Sequence, residues 1–278
     1  MTIIQSIILG IVQGAGEFLP ISSTAHLVLV PYFTGWKDPG LAFDVALHLG
    51  TLIALVFFFF WDWVAIIYLA LSRNSKFKIQ NSKLQLKVKS FENIYNSKLF
   101  WLIIIATIPG VVFGLLFEDK VETIFRNPLL IAFTLSFVGL VLFLADKYLK
   151  HRKNINQIDW KDSLLVGISQ AIAIIPGVSR SGATITAGIF RGLNRTDAAR
   201  FSFLLSAPII FGAAIVKLPK LFSEGFDLNI ILGIIFSALS GYLAIKYLLK
   251  FVEKYSYAVF FWYRLGLALI VAGVYILK

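Results

Sequence analysis

The sequence predicts an all-α, polytopic integral membrane protein: six transmembrane helices plus two re-entrant helical hairpins, arranged as two inverted-topology repeats. Three observations carry that expectation. Apolar blocks recur at near-membrane length, two of them are broken by polar residues and resemble one another, and Lys and Arg are unevenly shared between the loops. Of 278 residues, 58% are hydrophobic and 15% charged, with a net charge of +11 and no cysteine. Soluble domains run at about 45–50% apolar and about 25% charged residues. Blocks near the ~20 residues that cross a hydrocarbon core indicate a multi-pass chain. The lack of cysteine excludes a disulfide scaffold, and the apolar content excludes disorder. The basic charge reads as loop topology and not as nucleic-acid binding, because cytoplasmic loops of membrane proteins are basic. No Lys or Arg precedes Lys37, so the basic start of a cleavable signal peptide is missing and the first segment is expected to stay.

Eight apolar segments follow in order. Segment 3–30 is interrupted by Gly14, Gly16, Glu17, Pro20, Ser22, Ser23, Thr24 and His26. Segment 41–61 is a plain span whose aromatic run, Phe57–Trp61, reads as an interfacial belt. Segments 99–117 and 128–145 are plain. Segment 163–190 is interrupted by Pro176, Gly177, Ser179, Arg180, Ser181, Gly182 and Thr184. Segments 201–216, 228–249 and 255–277 are plain again. Gly10-Ile11-Val12-Gln13 before Pro20 parallels Gly167-Ile168-Ser169-Gln170 before Pro176, and a serine cluster follows each proline. Each interrupted segment leads into three plainer spans. The expectation is one membrane domain, 1–278, with internal repeats at about 1–150 and 160–278.

Basic residues decide how the broken segments sit. If all eight segments span, 14 Lys and Arg fall inside and 10 outside. If 3–30 and 163–190 return to their own side, 18 fall inside and 6 outside, with Arg180 and Arg264 left in the membrane. The positive-inside rule prefers the second arrangement. Three full spans per half then put the halves in opposite orientations and both termini outside. The hairpin tips meet near the midplane, where irregular backbone is tolerated only inside protein or against a cavity.

The tips carry the chemistry. Gln13 and Glu17 are spaced i, i+4 and share a helix face; Ser23 and His26, at i, i+3, share a face of the next helix. Ser22 or Ser23 suits its N-cap. Ser22 and Thr24 serve either as caps and bundle contacts or in the site. A carboxylate in a membrane segment is costly and functional by default, which singles out Glu17. His26 is either functional or a neutral core histidine. In the second tip, Arg180 precedes a helix start among Ser179, Ser181, Gly182 and Thr184. Helix N-terminal amides, glycine and a guanidinium fork suit a phosphate. Pairing of Arg180 with Glu17 is compatible with that. Asp44 and His48, Gln170, and the loop charges Arg191, Arg195 and Arg200 are weaker candidates, the three arginines reading as topogenic. No nucleotide-binding, HExxH or Cys/His metal motif is present.

At these tips the sequence resembles the undecaprenyl-diphosphatase, or bacitracin-resistance, family. The resemblance rests on Gln13…Glu17 running into Pro20-Ile21-Ser22-Ser23-Thr24-Ala25-His26, and on Pro176-Gly177-Val178-Ser179-Arg180-Ser181-Gly182-Ala183-Thr184 followed by Phe201-Ser202-Phe203-Leu204-Leu205. Gln13 stands where some members carry Glu, and since Gln is no base, Glu17 is left to that role alone. The resemblance implies a multi-pass enzyme of the bacterial plasma membrane. Such an enzyme hydrolyses undecaprenyl diphosphate to the monophosphate and inorganic phosphate, recycling the lipid carrier of cell-wall synthesis. It also implies a divalent cation, Mg²⁺ or Ca²⁺, and a site open to the outer face. On that basis Arg180 and the 181–184 amides hold the diphosphate, and Ser23 is the candidate nucleophile, with water the alternative. His26 is its acid/base partner, and Glu17 is the metal ligand or base. Gln13, Ser22, Thr24, Ser179, Ser181, Gly182 and Thr184 contact substrate. The alternative class is a secondary transporter or flippase for a lipid phosphate or other anion, since inverted repeats with broken helices also build carriers. Ser23 beside His26 favours chemistry, because a carrier needs no nucleophile.

Overall fold

The computed structural model describes residues 1–72, 90–91, 93–123, 127–150, 152–224 and 227–277. The loop charges Arg73, Lys76, Lys78, Lys83, Lys87 and Lys89 lie outside the described residues. Eleven α-helices are described: α1 Ile3–Phe18, α2 Ser23–Thr34, α3 Leu41–Phe58, α4 Phe60–Ser72, α5 Leu99–Thr123, α6 Pro128–Tyr148, α7 Trp160–Ile172, α8 Arg180–Phe190, α9 Arg195–Glu224, α10 Leu228–Val252 and α11 Ala258–Leu277. Among the described residues the only β-pairing is a bridge between Lys153 and Leu193. Five helices, α5, α6, α9, α10 and α11, are long and apolar enough to cross a membrane, and the bent pair α3–α4 reaches that length and hydropathy when its two helices are taken together. The chain is an all-α polytopic membrane protein. The two interrupted segments supply the short pairs α1–α2 and α7–α8.

Local sequence explains where helices begin. Thr2 and Gln5 form a capping box at α1, and Asp159 with Asp162 forms one at α7. Asn127 caps α6 with Pro128 in its first turn, and Asp227 caps α10. The segment expected as one plain span at 41–61 bends by 69° at Phe59. Phe59 is fully buried against Phe203, and the Arg200 guanidinium lies over its ring at 5.7 Å. The run Phe57–Trp61 is therefore split: Phe57 is 76% exposed, as a lipid-facing ring is, whereas Phe59 is 0% exposed.

Small residues let helices from distant parts of the chain approach closely. A Cβ at Gly10 would lie 2.5 Å from the Gly233 carbonyl oxygen, and one at Gly14 only 2.0 Å from Ser240 Oγ, which seats α1 on α10. On the other side, a Cβ at Gly167 would lie 2.5 Å from the Ala106 carbonyl oxygen, which seats α7 on α5. Helix α6 packs on α11, and α3 on α9. In lipid there is no hydrophobic drive between helices, so such close approach supplies the association.

One end of the bundle is tied by ions. Asp62 of α4 accepts from Arg200 at 2.6 Å and from Tyr95. Asp146 of α6 accepts from Arg195 at 2.6 and 3.2 Å and from the Tyr257 amide at 2.9 Å. Asp162 of α7 accepts from Arg191 at 2.5 Å and from Lys153. All three aspartates are buried. Arg191, Arg195 and Arg200, read from the sequence as topogenic loop charges, also cross-link segments. Burial pushes the Asp162 carboxyl up, but the hydrogen bonds from Lys153, the Asp159 amide and Arg191 outweigh it and hold the group below the usual carboxylate value.

These contacts orient the two short pairs. Asp162, in the first turn of α7, bonds Arg191, which caps the end of α8, so both ends of the pair lie in the ionic layer. The α1–α2 pair begins where Ser6 Oγ donates to the Asn229 carbonyl, at the head of α10. It returns with Ala25 and Leu29 packed on Ile131 and Ala132 near the head of α6 and on Val271 toward the tail of α11. Helix α10 reaches the ionic layer only at its tail, beside Tyr257. The two pairs therefore approach each other from opposite ends.

Two outcomes test this packing. Gly14→Leu, forced into the α10 backbone, is expected to cost about 3 kcal/mol or more, at the upper end for overpacking, measured by SDS-titration unfolding in mixed micelles. Asp146→Ala is expected to cost roughly 3 kcal/mol, the low end for a broken buried ion pair, since Arg195 stays 30% exposed.

Candidate active site

The same backbone device closes both pairs. Ser22 ends the first turn with φ 73° and Ser179 the second with φ 69°, both left-handed and both non-glycine. Such conformations cost of order 1–3 kcal/mol each and persist only where the surroundings hold them. Each serine caps the helix that follows: Ser22 Oγ accepts from the Ala25 amide at 3.4 Å, and Ser179 Oγ from the Gly182 amide at 3.1 Å. With Ser22 as the cap, Ser23 becomes the first residue of α2 and its hydroxyl is released from capping. Arg180 takes the equivalent place at the head of α8.

Those two residues meet at Glu17, which lies one residue before the end of α1 and is 6% exposed. Its Oε1 accepts from Arg180 Nη2 at 2.8 Å, while Oε2 accepts from Ser23 Oγ at 2.7 Å and Gln13 Nε2 at 2.9 Å. His48 of α3 brings its Nε2 to 3.5 Å from the same Oε2. The His48 Nδ1 lies 2.6 Å from the Asp44 carbonyl, which can only accept, so Nδ1 carries a hydrogen and neutral Nε2 is a base. Arg180 also holds two buried N–H groups, Nε and Nη1, that have no hydrogen-bond partner. A cavity of about 290 Å³ lies here, lined by Glu17, Ser23, Thr24, His48, Ser179 and Arg180 and by apolar Val45, Ala173, Ile174, Ile209, Ile210 and Ala213. That is near the low end for small-molecule pockets, about 300–1,000 Å³. A hydroxyl hydrogen-bonded to a carboxylate is arranged to lose its proton, and unpaired guanidinium N–H groups are arranged to take an anion.

Of the expected residues, Glu17, Ser23, Thr24, Ser179 and Arg180 line one cavity. The others do not. His26, expected beside Ser23, has its Nδ1 2.7 Å from the Ser22 carbonyl and its Nε2 2.6 Å from Tyr263 Oη, with the two rings stacked. Ser23 turns back to Glu17 instead. Gln13 is fully buried and spends its amide on Glu17; Ser22 is a buried cap. Ser181 Oγ bonds the Leu19 carbonyl at 3.2 Å and Thr184 Oγ1 the Ser202 hydroxyl at 2.6 Å. The Gly182 and Ala183 amides go to Ser179 Oγ and the Ser179 carbonyl, so these expected phosphate donors are occupied. His48 is placed beside Glu17 by the packing of α3, a contact that its i, i+4 spacing from Asp44 does not reveal.

Residues 6–270 match the family model described as "Bacitracin resistance protein BacA". The chain belongs to that family. It is 50% identical over 278 residues to an undecaprenyl-diphosphatase of Moorella thermoacetica, with 100% of both chains covered. It is 49% identical over 273 residues to one of Pelotomaculum thermopropionicum, covering 98% of this chain and 97% of the relative. For this BacA family chain the implied cofactor is a divalent cation. Among the described residues no group of three or more His, Cys, Asp or Glu is placed to enclose one. What is available is one carboxylate, Glu17, the Ser23 hydroxyl, and Gln13 Oε1, which is buried without a partner. Such a set fits a hard ion that shares its coordination with substrate phosphates, as Mg²⁺ commonly does.

The serine turns give a direct test. Ser179→Gly keeps the left-handed conformation and is expected to unfold within about 0.5 kcal/mol of the parent, whereas Ser179→Ala loses the cap and keeps the strain, costing about 1–2 kcal/mol. Unfolding in mixed micelles measures both.

Proposed function

We propose that this chain is a phosphatase of the bacterial plasma membrane that hydrolyses undecaprenyl diphosphate to undecaprenyl phosphate and inorganic phosphate, recycling the lipid carrier for cell-wall synthesis. The observation that carries the proposal is Arg180: a guanidinium bonded to Glu17 yet left with two buried, unpartnered N–H groups beside a hydroxyl–carboxylate pair. The names of the relatives support the substrate; none of them speaks for a carrier.

In this mechanism the terminal phosphate sits against Arg180, whose fixed charge meets the negative charge of the transferred group. Ser23 Oγ attacks the terminal phosphorus and passes its proton to Glu17. The bridging P–O bond breaks and undecaprenyl phosphate leaves. Water then attacks the phosphoserine, Glu17 returns a proton to Ser23, and inorganic phosphate is released. His48 Nε2, 3.5 Å from Glu17, offers that proton a second acceptor. A bound divalent ion, held by Glu17 with Gln13 Oε1, would neutralise charge on the diphosphate. The apolar wall of Val45, Ile174, Ile209 and Ile210 suits the first isoprene units. His26 acts on position, through the Ser22 carbonyl.

The same proposal places the ionic layer on the cytoplasmic side, with both termini and the mouth of the site outside. The two helix pairs are then re-entrant, and the halves at about 1–150 and 160–278 are inverted repeats. The matching serine turns and the packing of α1 on α10 and α7 on α5 support it.

Phosphate release from a polyprenyl diphosphate by purified protein in detergent with Mg²⁺ or Ca²⁺ tests the chemistry. Glu17→Gln is expected to lower kcat by about 10²–10⁴-fold, and Arg180→Ala by about 10²–10³-fold. Ser23→Ala is expected to abolish turnover; full activity there would make water the direct nucleophile. No release by well-folded parent protein with either cation would end the phosphatase reading.

A further inference from the structure

We propose that Arg264 is the positioning residue of this site: it locks the two serine turns to one another and thereby sets Ser23 and Glu17 against Arg180. Only the kinetic arm of the test below rests on the phosphatase reading. Arg264, on α11, is 0% exposed. Its Nε donates to the Leu135 carbonyl at 2.8 Å, and Nη1 to the Pro20 carbonyl at 3.3 Å. Its Nη2 donates to the carbonyls of Gly177 at 2.7 Å, Val178 at 3.2 Å and Thr134 at 3.3 Å. These partners are all backbone carbonyls, and no carboxylate pairs with Arg264 among the described residues.

A guanidinium buried without a carboxylate is an expensive residue to keep for stability alone. What it supplies is a rigid planar fork of donors, and here the fork reaches both tips at once. Val178 directly precedes Ser179, and Pro20 lies two residues before Ser22. Ser179 thus directly follows a carbonyl that Arg264 grips, and Ser22 lies two residues beyond another. The residues that follow them, Ser23 and Arg180, are the ones that bond Glu17. Gly139 makes room for the fork: a Cβ there would lie 3.3 Å from Arg264 Cδ and Nε. Loss of the fork lets the tips drift, and a displacement near 1 Å at reacting groups can cost about 100-fold in rate.

The native chain has no cysteine, so the tip separation can be read independently of activity. Leu19→Cys with Ser181→Cys marks the two tips, which already touch through Ser181 Oγ and the Leu19 carbonyl. A short bis-methanethiosulfonate then reports their proximity. In that background Arg264→Met is expected to cut cross-linking at least fivefold. In the cysteine-free chain it is expected to lower kcat about 100-fold, with KM changed less than about threefold. Arg264→Lys recovers part of both, and Gly139→Ala, which crowds the fork, gives a smaller loss of both. Arg264→Met with cross-linking unchanged, whether or not kcat falls, overturns the assignment. If Arg264→Met does not fold, Arg264→Lys and Gly139→Ala decide by the same readouts, and unchanged cross-linking in both overturns it. A parent without phosphatase activity ends the function proposed above and leaves cross-linking to judge the positioning role.

Discussion

Two turns of non-helical backbone meet inside an apolar bundle, and the backbone polar groups they carry must find partners within the protein. The rest of the structure follows from that requirement. Serine caps take amides at the heads of α2 and α8, Thr134 takes the Pro176 carbonyl at 2.8 Å, and Arg264 takes three further carbonyls of the two turns. Once those groups are satisfied, the side chains at the heads of α2 and α8 are free to face one another. Ser23 and Arg180 use that freedom on a single carboxylate.

The bundle handles charge in two different ways. At the ionic end, each buried aspartate meets an arginine at 2.5–2.6 Å and a further donor, so attraction is matched closely on both sides. At the tips the balance is deliberately uneven. One carboxylate, Glu17, meets the Arg180 guanidinium, two of whose N–H groups have no partner, beside the His48 imidazole. Donor capacity is left over on Arg180 where an anionic substrate would take it up, and the apolar walls keep the field strong.

Much of this was legible in the sequence because contrast is high in an apolar chain. Pro20, Glu17 and the serines of 3–30, or Pro176 and Arg180 of 163–190, stand out against surroundings that have no other reason to hold them. Five of the six plain spans were equally clear from length; the sixth, at 41–61, is a bent pair of helices. What local spacing could not supply was partners from distant segments. Ser23 and His26 do share a helical face by count, yet Ser23, as the first residue of α2, reaches back to α1 while His26 meets Tyr263, 237 residues away. Arg200 gave no sign of Asp62, 138 residues earlier, and the bend at Phe59 has no proline or glycine to announce it. The 181–184 amides read as free donors in a sequence motif; in the fold, Ser179 has taken two of them.

The seat of α1 on α10 bears on how the chain is made. Ser6 bonds to Asn229 across 223 residues, and Gly10 and Gly14 fit only against the small residues of that same late helix. At a synthesis rate of about 5–20 residues per second, roughly 10–45 s separate the first helix from its seat. Through most of that interval Glu17 lacks Arg180, which lies 163 residues further along the chain. A short apolar helix with a carboxylate near its end is left waiting beside the insertion machinery, and its final depth is settled only when the second half of the chain arrives. Assembly of this bundle is therefore a late, whole-chain event, and a truncated first half would carry its key acid into the membrane without the arginine that pairs it.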